Sequence, residues 1–190
     1  MKRLAILIGI LALAAPLALA QTTWVSDPNH SEIDFTIIHM SVSKIHGHFG
    51  NVKATIVYND ADVTKSTVTA TIGVDTVDTG VDQRNTHLKS PDFFDVATMP
   101  TATFTSTSVA KSGNHLTVNG NLTLHGVTKP VVLDVEGPTP PITDPQGKTH
   151  SGFSATTTLD RTAFGIGSKF PAAMLGDEVK LEIELEVIKQ

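Results

Sequence analysis

Cysteine is absent from the 190 residues, so the fold rests on no disulfide and the chain has no thiol nucleophile or thiolate metal ligand. Aromatic residues are few, with eight Phe, one Trp and one Tyr, so aliphatic side chains must supply most of any core. Positive charge is sparse as well. Fourteen Lys and Arg face nineteen Asp and Glu, for a net charge of −5, and no basic cluster exists to track phosphates, which argues against a nucleic-acid partner. The one long apolar run sits at the start: Lys2 and Arg3 precede Leu4 to Ala15, and Ala18-Leu19-Ala20 has the small-x-small form of a cleavage site. Residues 1–20 read as a cleaved signal peptide, with a mature domain over 21–190. A membrane anchor is the rival reading, but no charged flank follows the run and Pro16 interrupts it. No Cys follows to carry a lipid anchor. Losing Lys2 and Arg3 takes the net charge from −5 to −7. The expected compartment is a bacterial periplasm, with secretion as the alternative.

From Trp24 onward the prevailing pattern is alternation of apolar and polar residues, which places successive side chains on opposite faces of a strand. Ile33, Phe35 and Ile37 share one face; Val68, Ala70, Ile72 and Val74 share another. In the last strand Val179, Leu181, Ile183, Leu185 and Val187 oppose Lys180, Glu182, Glu184 and Glu186. Similar segments lie at 50–58, 101–109, 115–124, 130–136 and 152–160, which makes eight strands separated by turn-forming clusters. Asn119-Gly120 is a strong hairpin dipeptide, yet a turn there would leave stubs on both sides, so Gly120 reads as a bulge or close-approach position within a strand. One short helix is expected from Asp82 to Phe94, broken by Pro91.

This pattern predicts an all-β domain, an eight-stranded antiparallel barrel with one short helix and an apolar internal cavity. Closure removes the edges that a strand as long as 178–188 would expose. Small inward-facing residues (Ala54, Ala70, Ala102, Gly120, Ala155) leave internal volume that favours a cavity; a sandwich of closely approaching sheets is the alternative.

Four of the eight histidines fall within 30–49. His46 and His48 share a strand face and offer two ligands for zinc or copper, with His39 or Asp34 as a third; solvent-facing imidazoles are the simpler expectation, and no metal site is assigned. His39 shares the inward face of Ile33, Phe35 and Ile37. Arg84 and His87 are one helical turn apart, placed either to cap a pocket mouth or to anchor the helix on Asp92 or Asp95. No Gly-x-Ser-x-Gly elbow, phosphate loop or calcium loop is present, so no catalytic residue is assigned.

Several further pieces stand in order along the chain: Asp27-Pro28-x-His30-Ser31-x-Ile33-x-Phe35, His39-Met40, Gly47-x-Phe49, Arg84-x-x-His87-Leu88, Phe93-Phe94-Asp95, Gly120-x-Leu122-Thr123-Leu124-x-Gly126, Arg161-x-x-Phe164-Gly165-Ile166 and Gly176-Asp177-x-Val179. Taken together they resemble the YceI-like family of periplasmic polyisoprenoid-binding proteins. The resemblance implies a lipocalin-like eight-stranded barrel with a long apolar pocket, carries over no catalytic residue, and implies a homodimer.

 The ligand it implies is an isoprenoid or similar amphiphilic lipid (an isoprenoid quinone or prenol), bound without chemistry and without a cofactor, and exchanged by transient membrane contact. The residues then expected to line the cavity are Ile33, Phe35, Ile37, Val74, Phe104, Leu122, Leu124, Leu133, Phe153, Phe164 and Ile166. His39, Arg84 and His87 are expected at the mouth, against the polar head. A periplasmic metal-binding protein using surface histidines and an enzyme acting on its bound lipid are the alternatives.

Overall fold

The computed structural model describes residues 21–190; the expected signal peptide lies outside the described residues. Ten strands form one antiparallel sheet: β1 Gln21–His39, β2 Ser43–Phe49, β3 Val52–Asn59, β4 Thr67–Gly73, β5 Thr101–Ser112, β6 His115–Leu124, β7 Val127–Glu136, β8 Ile142–Thr143, β9 Thr149–Asp160 and β10 Leu175–Lys189. The order β10-β1-β3-β4-β5-β6-β7-β9, with β9 paired back onto β10, closes an eight-stranded barrel. Closure satisfies the backbone of β10 on both sides along most of its length, from Val179 to Ile188 on β9 and from Val179 to Lys189 on β1.

Two strands were not foreseen from alternation. The two-residue β8 is an outer addition to β9. β2 continues the wall beyond β3: Ile45 pairs with Ile37 and Phe49 with Ile33, while β3 pairs with the first residues of β1. Its inward face reads Ile45-x-Gly47-x-Phe49, and the missing side chain at Gly47 hides the pattern. That gap is filled from across the wall, since a Cβ on Gly47 would stand 2.4 Å from Cζ of Phe35.

The helix, α1, spans Asp82–Lys89 and stops short of the expected Phe94. Ser90 is extended (φ −74°, ψ 168°) and closes the last turn through its N–H to the His87 carbonyl. Pro91 accounts for this, because proline disfavours helical backbone in the residue before it.

The barrel interior divides into two halves. In one, Trp24, Ile56, Phe104, Val118, Val135, Phe153 and Val187 form a packed cluster. Gly120 belongs to this half and is a close-approach position: a Cβ there would lie 2.2 Å from Cζ of Phe104. The bulge falls on the opposite strand, where the register slips between Ser106 and Ser108 against Gly120 and Asn119. Gly120→Ala should therefore force the Phe104 ring out of its seat and destabilise the fold by about 1–3 kcal/mol. Denaturant unfolding checks this, and the double variant Gly120→Ala/Phe104→Leu should recover part of the loss.

Candidate functional site

The other half of the barrel is a cavity of about 400 Å³, within the usual size range of ligand pockets. Alternation on the wall strands builds it. β1 contributes Ile33, Phe35 and Ile37, β2 Ile45 and Phe49, β5 Ala102, β6 Leu122 and Leu124, and β10 Leu175, Val179 and Leu181. Val74 enters from the turn after β4, where its N–H donates to the Pro100 carbonyl at 2.8 Å. Ile72 of β4 and Leu159 of β9 add to these walls, and Leu88 of α1 with Phe93, Phe94, Phe164, Ile166, Phe170 and Met174 line the cavity from outside the strands.

Eight of the eleven apolar residues expected in the lining are there: Ile33, Phe35, Ile37, Val74, Leu122, Leu124, Phe164 and Ile166. The other three are corrected. Phe104 and Phe153 belong to the packed half, and Leu133 rests against that same cluster. Inward orientation alone does not distinguish the halves. Phe104 lies one inward step beyond Ala102 on β5, and its ring occupies the space that Gly120 leaves, so it fills volume instead of bordering it.

Four polar side chains reach the lining: His39, Arg84, His87 and Arg161. Arg84 donates from Nε to Thr79 Oγ1 at 2.7 Å and from Nη2 to the Thr79 carbonyl at 2.9 Å. Thr79 is itself held by Asn85, which accepts from both its N–H and its hydroxyl. Asp78 anchors this loop, since the Gly80 N–H and the Asn85 amide hold its carboxyl below the usual range. Its backbone also exchanges two hydrogen bonds with His48 of β2. His87 performs both of the roles open to it. It lines the cavity, meets the Phe93 ring edge-on at 5.0 Å, and lies 3.6 Å from Asp92 Oδ2. Lys169 is the main cause of the depressed Asp92 carboxyl, with His87 a lesser one.

Arg161 differs in kind. Its side chain is only 3% exposed, and its donors go to the carbonyls of Ile166, Gly167, Phe170, Leu175 and Gly176 and to Asp177. All five N–H groups are committed, so Arg161 shapes the segment 162–177 and leaves no donor for a ligand. Its role was not visible in the sequence because the acceptors are backbone carbonyls.

The histidines clustered within 30–49 separate by face. His46 and His48 point to the exterior, where His46 Nδ1 lies 3.0 Å from Thr36 Oγ1, whereas His39 lies on the cavity side. These three therefore cannot share one ion.

These features define a closed antiparallel barrel, packed at one end and hollow at the other, with an apolar cavity that His39, Arg84 and His87 border. The sequence profile of the YceI-like domain matches residues 24–187. Protein YceI of Salmonella newport is 38% identical over 165 residues, covering 85% of this chain and 83% of that protein. A UPF0312 protein of Pectobacterium atrosepticum is 34% identical over 187 residues, covering 96% and 94%. The chain belongs to the YceI-like family. Among solved structures, Campylobacter jejuni YceI superposes with a TM-score of 0.71 at 29% identity, covering 80% of this chain and 90% of that one. Burkholderia cenocepacia BcnA gives 0.74 at 24% identity, covering 85% and 98%. A polyisoprenoid-binding domain from Saccharophagus degradans gives 0.62 at 16% identity, covering 88% and 98%. The last two establish likeness of fold alone.

Replacing Arg161 by Met should cost about 3–5 kcal/mol, the usual penalty for removing one partner of a buried ionic contact. The change should also release residues 162–177 while the packed half holds. Hydrogen exchange resolved along the chain checks this; uniform protection across 162–177 in the variant would refute the assignment.

Proposed function

We propose that the barrel holds the tail of an isoprenoid or similar long-chain amphiphile, an isoprenoid quinone or prenol type, and stores or carries it in the periplasm without chemical change. The carrying observation is the composition of the cavity: it is bordered by aliphatic and aromatic side chains, with its polar groups limited to three imidazole or guanidinium side chains free to meet a ligand. Among the described residues, the lining contains no carboxylate and no hydroxyl or thiol nucleophile, which favours holding over reaction. The polyisoprenoid-binding domain of the same fold supports the ligand class. Pairing of two copies belongs to the same reading.

Each buried CH₂ contributes roughly 0.8 kcal/mol relative to water. A bilayer interior offers the tail the same gain, so transfer between membrane and barrel is near balance, as carriage requires. Native mass spectrometry of gently purified protein, followed by solvent extraction, tests the reading. The expected result is a discrete mass excess that extracts as a quinone or prenol. Ala102→Phe, which places a ring in the cavity, should lower that loading with little change in stability. A wild-type barrel that is empty on isolation and takes up no added prenol would overturn the proposal.

The cavity rim carries the route of exchange. Ile38, Met40, Val42 and Met174 are exposed apolar residues, Val42 at 86%. The Met40 N–H donates to the Met174 carbonyl at 2.8 Å, which joins the β1–β2 turn to the last turn before β10. Met174 also lines the cavity, so exposed rim and interior are continuous. Such a rim fits transient contact with a membrane surface. Met40→Asp/Val42→Asp should slow lipid uptake from liposomes at least tenfold and leave the melting temperature within a few degrees; unchanged uptake would remove the rim from the mechanism.

A further inference from the structure

A second group of side chains converges on the outer wall, away from the cavity, where β1 crosses β10. The segment Asp27-Pro28-Asn29-His30 breaks the register of β1 between Ser26 and Ser31. The Asn29 N–H donates to Asp27 Oδ1 at 2.8 Å, which leaves Oδ2 3.4 Å from His30 Nδ1. The Ser31 hydroxyl donates to the Glu186 carbonyl at 3.2 Å, so the bulge is fixed against β10. Glu186 then brings its Oε2 to 3.8 Å from the same His30 nitrogen. One ligand atom each from Asp27, His30 and Glu186 lies within 4.8 Å of the others.

We propose that Asp27, His30 and Glu186 form a binding site for a divalent transition cation, of which zinc fits best. Two carboxylates and one imidazole supply two negative charges and one borderline-soft nitrogen, a donor set suited to zinc. Zinc takes such ligands at about 2.0–2.2 Å, and atoms 3.4 and 3.8 Å apart straddle a common centre at those lengths after small side-chain rotations. His30 is exposed, which gives the ion a path in and leaves a fourth position to water. The second oxygen of Glu186 is already held: His150 Nδ1 lies 2.8 Å from Oε1, and its Nε2 lies 3.1 Å from Asp144 Oδ2. An outer partner of this kind orients a ligating group and tunes its affinity. The bulge explains why neighbours in sequence can serve. In a regular strand Asp27 and His30 would face opposite sides of the wall, whereas the irregular segment brings both to one side. The site lies outside the lipid cavity and stands independently of the lipid reading.

Purified protein treated with a chelator and desalted is titrated with zinc by calorimetry, and with cobalt followed by visible absorption as a report of nitrogen and oxygen coordination. The expected result is a single-site isotherm near one ion per chain. His30→Ala and Glu186→Gln should each weaken it at least tenfold, and His150→Gln about tenfold through loss of the outer contact. His46→Ala/His48→Ala should leave it unchanged. Circular dichroism and melting in chelator confirm that each variant is folded; Glu186→Gln keeps the size of the side chain and guards against failure of the other. No saturable uptake by the wild type, or uptake that survives His30→Ala and Glu186→Gln but disappears with His46 and His48, would overturn the assignment.

Discussion

The seating of the Phe104 ring on Gly120 is the constraint from which the rest of the interior follows. An eight-stranded barrel has just enough room inside to be filled by side chains or to hold one ligand. This chain does each in one half. Where β5 and β6 face inward with Phe104 against a residue lacking a Cβ, the volume closes and joins the cluster around Trp24, Phe153 and Val187. One inward step away on β5, Ala102 supplies no ring, and the space stays open. The packed half buries one apolar cluster, and two more, around Ile72 and around Phe164, support the walls of the hollow half without filling it.

The hollow half needs separate support, because its outer wall is not all strand. The segment 162–177 would carry unpaired carbonyls if it simply lay across the opening, at a cost typical of buried unsatisfied groups. Arg161 resolves that by donating to five of those carbonyls and to Asp177 at once. Those hydrogen bonds and the Asp177 carboxylate offset the desolvation of the buried charge, and the stacked rings of Phe93 and Phe170, 5.1 Å apart, both line the cavity. The segment is thus held by one buried cation and two rings rather than by a continuous ladder.

Period-2 alternation made the eight barrel strands legible, because half-buried strands impose it directly on the sequence. β2 escaped because Gly47 interrupts the apolar row, and only the structure shows that Phe35 fills the gap. The inward face was legible too, since Ile33, Phe35, Leu122 and Leu124 all reach the cavity. What alternation does not encode is depth along the barrel axis. Phe104 and Phe153 face inward like the others but lie in the packed half, Leu133 packs against both that cluster and the one around Phe164, and the space that Gly120 leaves is taken by the Phe104 ring. Residues of the irregular segments, Phe93, Phe170 and Met174, carry no periodic signal at all.

The same alternation explains why the histidines had to be separated. A barrel wall sends consecutive residues to opposite environments, so His39 and His46, only a turn apart in the chain, belong to the cavity side and the exterior. Convergence of ligands from one strand requires that the alternation be broken. β1 breaks it between Ser26 and Ser31, and there the chain gathers Asp27 and His30 opposite Glu186 of β10. One strand therefore serves two surfaces: its regular part presents apolar residues to the cavity, and its irregular part presents polar ligand atoms to solvent.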